Sequence, residues 1–166
     1  MNRRRFIAGV LACCASGACR STPPLANTKS SPEALATSVL DALARKDRTA
    51  LEALALNEQE FRDHVWPELP AARPERNLPF SYVWGDLHQK SQVGLGAALR
   101  AHGGQAYTLR EVTFGEDTAY ESYRVRRAAT FHVRDAAGAD LDLRVCGSMI
   151  EKGGAWKVFS YVVDGD

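Results

Sequence analysis

From residue 106 to the end of the chain, apolar and polar side chains alternate. Tyr123, Val125, Ala129, Phe131 and Val133 occupy odd positions, with Arg124, Arg126, Thr130, His132 and Arg134 between them, and Leu141-Asp142-Leu143-Arg144-Val145 repeats the pattern. A period of two places one set on a buried face and the other in solvent, which predicts strands rather than helices. Four strands follow, over 106–114, 119–134, 140–151 and 155–163, with turns at 115–118, 135–138 and 152–154, the last written Lys152-Gly153-Gly154. Strands joined this tightly are antiparallel neighbours, so the region reads as a meander.

Upstream the period lengthens. Ser31-Pro32-Glu33 supplies an N-cap, a proline for the first helical position and an acid for the first turn; Leu35, Val39 and Leu43 then mark one stripe to residue 45. Lys46-Asp47 turns the chain into a second helix carrying Leu51 and Leu54. Asn57 and Glu60 are spaced as a capping box ahead of Phe61 and Val65. Pro67, Pro70, Pro74 and Pro79 exclude regular structure over 66–80 and predict an ordered loop or flap. A third helix over 81–102 has Val83, Leu87, Ser91, Leu95 and Leu99 on one face and stops at Gly103-Gly104, although Gly85, Gly94 and Gly96 oppose it. The class is α+β: N-terminal helices on one face of a curved four-stranded antiparallel sheet.

The head of the chain is of another kind. Arg3-Arg4-Arg5 precedes a short apolar run from Phe6 to Ala18, the layout of an export signal, too short for the ~20 residues that span a bilayer. Arg3-Arg4-Arg5-Phe6-Ile7 resembles a twin-arginine signal. Ser16-Gly17-Ala18 suits signal peptidase, and the same bond would leave Cys19 first, resembling the acylated cysteine of bacterial lipoproteins; Cys13, after Val10-Leu11-Ala12, is the alternative. The expected division is a signal peptide at 1–18, a flexible Pro- and Ser-bearing tether at 19–30, and one domain at 31–166. The expected location is the cell envelope, periplasmic or held at the membrane through an N-terminal lipid.

Charge and cysteine content narrow the chemistry. Removing residues 1–18 takes three arginines and no acid from 21 basic and 20 acidic residues, leaving a net charge of −2 and no basic face for nucleic acid. Cleavage before Cys19 leaves Cys146 as the other thiol, so no disulfide framework is expected, and Cys146 reads as a small buried strand residue. His64, His88, His102 and His132 show no paired metal-ligand spacing, and Cys146-Gly147-Ser148-Met149 is not a nucleophile elbow. No metal or cofactor is expected.

Helix, the charged turn Arg45-Lys46-Asp47, two further helices, and a long sheet closing on Gly153-Gly154-Ala155-Trp156-Lys157-Val158 together resemble the NTF2-like superfamily of SnoaL and ketosteroid-isomerase type. The resemblance covers residues 31–163 and implies a cone whose helices close the sheet over a cavity. Such cavities are catalytic, ligand-binding or merely core, so the fold alone decides no activity.

Candidate ligand contacts are Arg127, which shares parity with Tyr123, Val125 and Phe131, and the aromatics Tyr82 and Trp84 near Trp66 and Phe80. A regular strand would aim Arg127 into the cavity to hold a carboxylate or phosphate; a bulge at Arg126-Arg127 would turn it out. For proton transfer the candidates are Asp86, His88 and Glu111, with Tyr107 as a donor, none spaced to a partner. The leading expectation is a non-catalytic module binding a small ligand or another envelope protein. Alternatives are an exported cavity enzyme of isomerase or hydrolase type, and a homodimer through the outer sheet face near Phe159, Tyr161 and an exposed Lys157.

Overall fold

A computed structural model describes residues 22–162. The signal, Cys13, Cys19 and residue 163 of the last predicted strand lie outside the described residues.

The helices begin where side chains can satisfy their first amide groups. In α1 (Pro32–Ala44) the Ser31 hydroxyl accepts from the Ala34 amide at 3.1 Å, and in α2 (Arg48–Leu54) the Asp47 carboxylate accepts from Ala50 at 2.9 Å. Leu35, Val39, Leu43 and Leu51 are wholly buried, as their spacing predicts. The Asn57/Glu60 capping box forms at the head of α3 (Glu58–Glu60), which runs straight into a π turn, Phe61–Val65. The amide of Trp66 reaches back to the Phe61 carbonyl, and this wider turn sends both Phe61 and Val65 inward.

The proline stretch is more regular than expected. Three 3-10 turns, Trp66–Glu68, Pro70–Ala72 and Pro74–Arg76, each place a proline within their first two positions, where the missing N–H leaves no bond unmade. Helix α4 (Phe80–His102) then runs 23 residues. Gly94 inside it is a packing requirement, because a Cβ there would collide with the Tyr161 carbonyl.

Seven strands follow: β1 (Tyr107–Thr113), β2 (Asp117–Ala119), β3 (Arg124–Arg127), β4 (Thr130–Asp135), β5 (Asp140–Leu143), β6 (Ser148–Lys152) and β7 (Ala155–Ser160). They form two antiparallel sheets, ordered β1-β4-β5 and β2-β3-β6-β7. The predicted meander survives, but its first three strands each break once and pass from one sheet into the other. The turn expected at 115–118 is only a bend: Gly115 donates to the Arg127 carbonyl at 3.0 Å, Arg127 donates to the Glu116 carbonyl at 2.7 Å, and the reversal comes later, where Tyr120 donates to the Tyr123 carbonyl at 2.9 Å. The second strand breaks at Ala128, whose φ of 49° is a left-handed backbone unusual for a residue with a Cβ.

Two cores result. Helices α1 and α2 and the C-terminal half of α4 bury Leu35, Val39, Leu43, Leu51 and Leu95 against Phe131, Val133, Leu143 and Val158. The π turn and the N-terminal half of α4 bury Phe61, Val65, Trp84 and Leu87 against Tyr123, Val125, Ile150 and Phe159.

Two expectations are corrected. Lys157 is not exposed: at 1% exposure it pairs with Glu60 at 2.9 Å, so it cannot mark an outer face for a homodimer, and Tyr161 is likewise buried. The second half of the expected tether is pinned. The Pro23 carbonyl accepts from His64 Nε2 at 2.8 Å, the Ala26 amide donates to Glu60 at 2.8 Å, and Lys29 exchanges two backbone bonds with Trp156 of β7. Lys157 Nζ also donates to the Ala26 carbonyl at 2.7 Å, so the buried ion pair and the strap secure each other.

Candidate functional site

Between the N-terminal half of α4 and the four-stranded sheet lies a cleft of about 420 Å³, within the usual size range of small-molecule sites. Phe61, Val83, Leu87, Val125 and Phe159 make its apolar walls, and Arg127, Ser148 and Ser160, with Thr118 and Tyr120, are its polar lining on the sheet side. The walls are fixed by ring packing: Phe61 lies 5.3 Å from Trp84 and 6.2 Å, edge on, from Phe159. On the rim, Asp86 and Lys90 pair with each other at 2.8 Å, one helical turn apart.

A larger groove of about 700 Å³ runs along the other flank of α4, lined by Val93, Gly94, Ala97, Ala101, His102 and Arg144. Its charged and aromatic polar groups are already engaged, His102 with the Tyr107 hydroxyl at 3.1 Å and Lys90 with Asp86, and Arg144 also has a partner, which leaves Gln89. The smaller cleft is therefore the stronger ligand site.

The predicted residues scatter. Arg127 does line the cleft, since the break in the strand falls one residue after it, but its side chain is exposed at the mouth rather than buried within. Tyr123 belongs to the cleft-side core, where its hydroxyl donates to the Val65 carbonyl at 3.3 Å and its ring stacks on Tyr120 at 4.5 Å. Burial, helped by nearby Tyr120 and Glu68, raises the Tyr123 hydroxyl well above the ordinary phenol range, so it stays neutral. Trp84 packs in the same core, with His88 stacked on its outer side at 5.2 Å. Tyr82 is 66% exposed and outside the cleft, and Phe131 is sealed in the other core, so neither lines the cleft.

Of the proton-transfer candidates, Asp86 is spent on Lys90, His88 is exposed on α4, and Glu111 is exposed on β1. They are not brought together. Tyr107 bonds Gln105 at 2.6 Å and His102 instead of facing the cleft. Cys146 falls in the break between β5 and β6 rather than within a strand, but it is buried as expected, and desolvation pushes its thiol up to about 12, which makes it inert. Among the described residues no group of acids, histidines and cysteines is placed to hold a metal.

One constellation escaped the sequence reading. On the outer face of the three-stranded sheet, His132 Nε2 lies 2.8 Å from the Thr113 hydroxyl and His132 Nδ1 lies 2.6 Å from Asp142. Glu111 stands opposite His132 in the β1/β4 register, and Arg134 grips Asp140 through two bonds two rungs away on the same face. The alternation had placed His132, Arg134 and Asp142 on outward faces; what it lacked was the register that joins them to Thr113. The order hydroxyl, imidazole, carboxylate is that of an activated nucleophile. Its setting is a solvated ladder, with Asp142 69% exposed on its side chain and no cleft beside it.

No family model matches the chain, and no curated protein or solved structure is significantly similar to it.

Proposed function

We propose that the chain is an exported bacterial envelope protein, anchored through Cys19, whose single NTF2-like domain is a non-catalytic binding module for a small amphipathic ligand. The observation that carries this reading is the cleft: apolar walls with a few convergent polar groups, where the ionisable pair on its rim, Asp86 and Lys90, neutralises itself at 2.8 Å. The break of three long strands into two sheets, with α4 lying along them, supports an NTF2-like cone. Only Arg20, Ser21 and Thr22 separate Cys19 from the pinned Pro23. At no more than about 3.5 Å per residue, an anchored domain stands against the bilayer surface rather than on a long tether.

The test is the intact mass of the mature protein from membranes, with Cys19→Ala beside it. Acyl mass on Cys19, lost together with membrane association in the variant, supports anchoring; cleavage after Ala18 with no added mass removes it. A second reading, an exported hydrolase, is favoured by the Thr113–His132–Asp142 relay alone. Turnover of p-nitrophenyl acetate that Thr113→Ala abolishes would support it, and equal turnover by the two proteins would dismiss it.

A further inference from the structure

Three polar residues of the cleft's sheet wall lie on a single rung. Arg127 of β3 is registered opposite Ser148 of β6, and Ser148 opposite Ser160 of β7. Directly paired residues in an antiparallel ladder project to the same side with Cβ atoms about 4.5–5.5 Å apart. The three side chains therefore form one row along the cleft's sheet wall. The register shift beside Ser148 brings Ser160 into that row, although Lys157, three residues earlier, is also directed to this side.

Two features of the row are unfinished. Ser148 and Ser160 are 8% and 4% exposed, and their hydroxyls meet at 3.3 Å. Each hydroxyl has one proton to donate, and one mutual bond uses one of the two, so a buried donor is left over facing the cleft. Leaving such a group unsatisfied is costly, and a ligand oxygen would satisfy it. Beside it the Arg127 guanidinium has no acceptor among the described residues, whereas the other rim cation, Lys90, is already neutralised by Asp86. One uncompensated positive charge and one spare hydroxyl proton sit at the end of a wall made by Val125, Phe61, Phe159 and Leu87.

We infer that this rung is the headgroup site for a carboxylate-bearing amphiphile, the carboxylate taking the Arg127 guanidinium and the spare hydroxyl proton while the apolar body lies along the aromatic wall. A planar monoanion matches both the charge and the fork of a single guanidinium. The assignment rests on the cleft being the binding site and adds the class of ligand it takes.

The experiment compares decanoate, decyl phosphate and decanol by calorimetry, on wild type, on Arg127→Gln and on the double variant Ser148→Ala/Ser160→Ala. The double change removes both hydroxyls together, so it leaves no orphaned partner and should fold. Thermal melts of each variant check this. Wild type should bind decanoate about ten-fold tighter than decanol, a preference that falls with added salt and disappears in Arg127→Gln. The double variant should lose part of the same preference. Equal binding of decanoate and decanol to wild type would overturn the headgroup site and leave the cleft reading standing. Preference for decyl phosphate would overturn the carboxylate assignment. Binding of none of the three would overturn the cleft reading and this site with it.

Discussion

The two cores of this domain obey different rules. Under α1 the core is mainly aliphatic around Phe131 and Tyr161, β4 alternates cleanly although β1 carries a register shift between Leu109 and Glu111, and the outer face carries the opposed pairs Arg134–Asp140 and His132–Asp142. Under the N-terminal half of α4 the core is aromatic, meets a π turn, abuts a buried Glu60–Lys157 pair and opens into the cleft. The left-handed Ala128 marks the boundary between them. Where packing alone is asked of the chain, propensity, pattern and capping agree. The departures gather beside the cleft, as they do where a fold gives up local consistency for function.

Substitutions can widen or erase that contrast. The largest effect is expected from Glu60→Ala, which strands a buried Lys157 charge and frees the strap at Ala26; about 3–5 kcal/mol should be lost, with most of it recovered in Glu60→Leu/Lys157→Met. Urea unfolding of the three proteins measures this, and proteolysis within residues 23–30 should rise in both variants, because each loses the Glu60 carboxylate that holds the Ala26 amide. Next, Leu43→Ala in the closed core should cost about 2–5 kcal/mol. Leu87→Ala, on the half-buried cleft wall, should cost no more than about 1 kcal/mol and enlarge the cleft instead. Equal losses at the two leucines would mean that the cleft is packed like the core.

A smaller change is expected at the boundary. Ala128→Gly relieves the left-handed strain but adds freedom to the unfolded chain, so a net gain of at most about 1 kcal/mol should appear in the same unfolding curves. The smallest effect concerns His102, whose ring burial lowers below the ordinary 6.5. The unfolded chain then takes up the proton first, so stability present above about pH 6.5 declines as pH falls towards the folded-state value. His102→Gln should flatten the slope of stability against pH between pH 7 and 5, and an unchanged slope would assign it to other groups.

Much of the closed core was legible because periodicity reports burial. Leu35, Val39, Leu43, Phe131 and Val133 all fell where the pattern put them, and the Ser31 cap and the Asn57/Glu60 box announced their helices. Lys157 was misread because a lysine in a strand ordinarily faces water, and its partner lies 97 residues away with no local signal. The strap at 22–30 was misread for the same reason, since composition reports flexibility but not backbone bonds to Glu60 and Trp156. Arg127 was found by parity alone. Ser148 and Ser160 were not, because their place beside Arg127 depends on register across three strands and on one shift within it, which alternation along a single strand does not encode.

The most direct test of the binding-module account is a chemical-shift map of the isotopically labelled protein titrated with decanoate. The account predicts saturable shifts clustered at Leu87, Val125, Arg127, Ser148, Phe159 and Ser160, with Val93, Ala97 and Ala101 across α4 undisturbed. Shifts confined to that outer groove, or none at all, would contradict it.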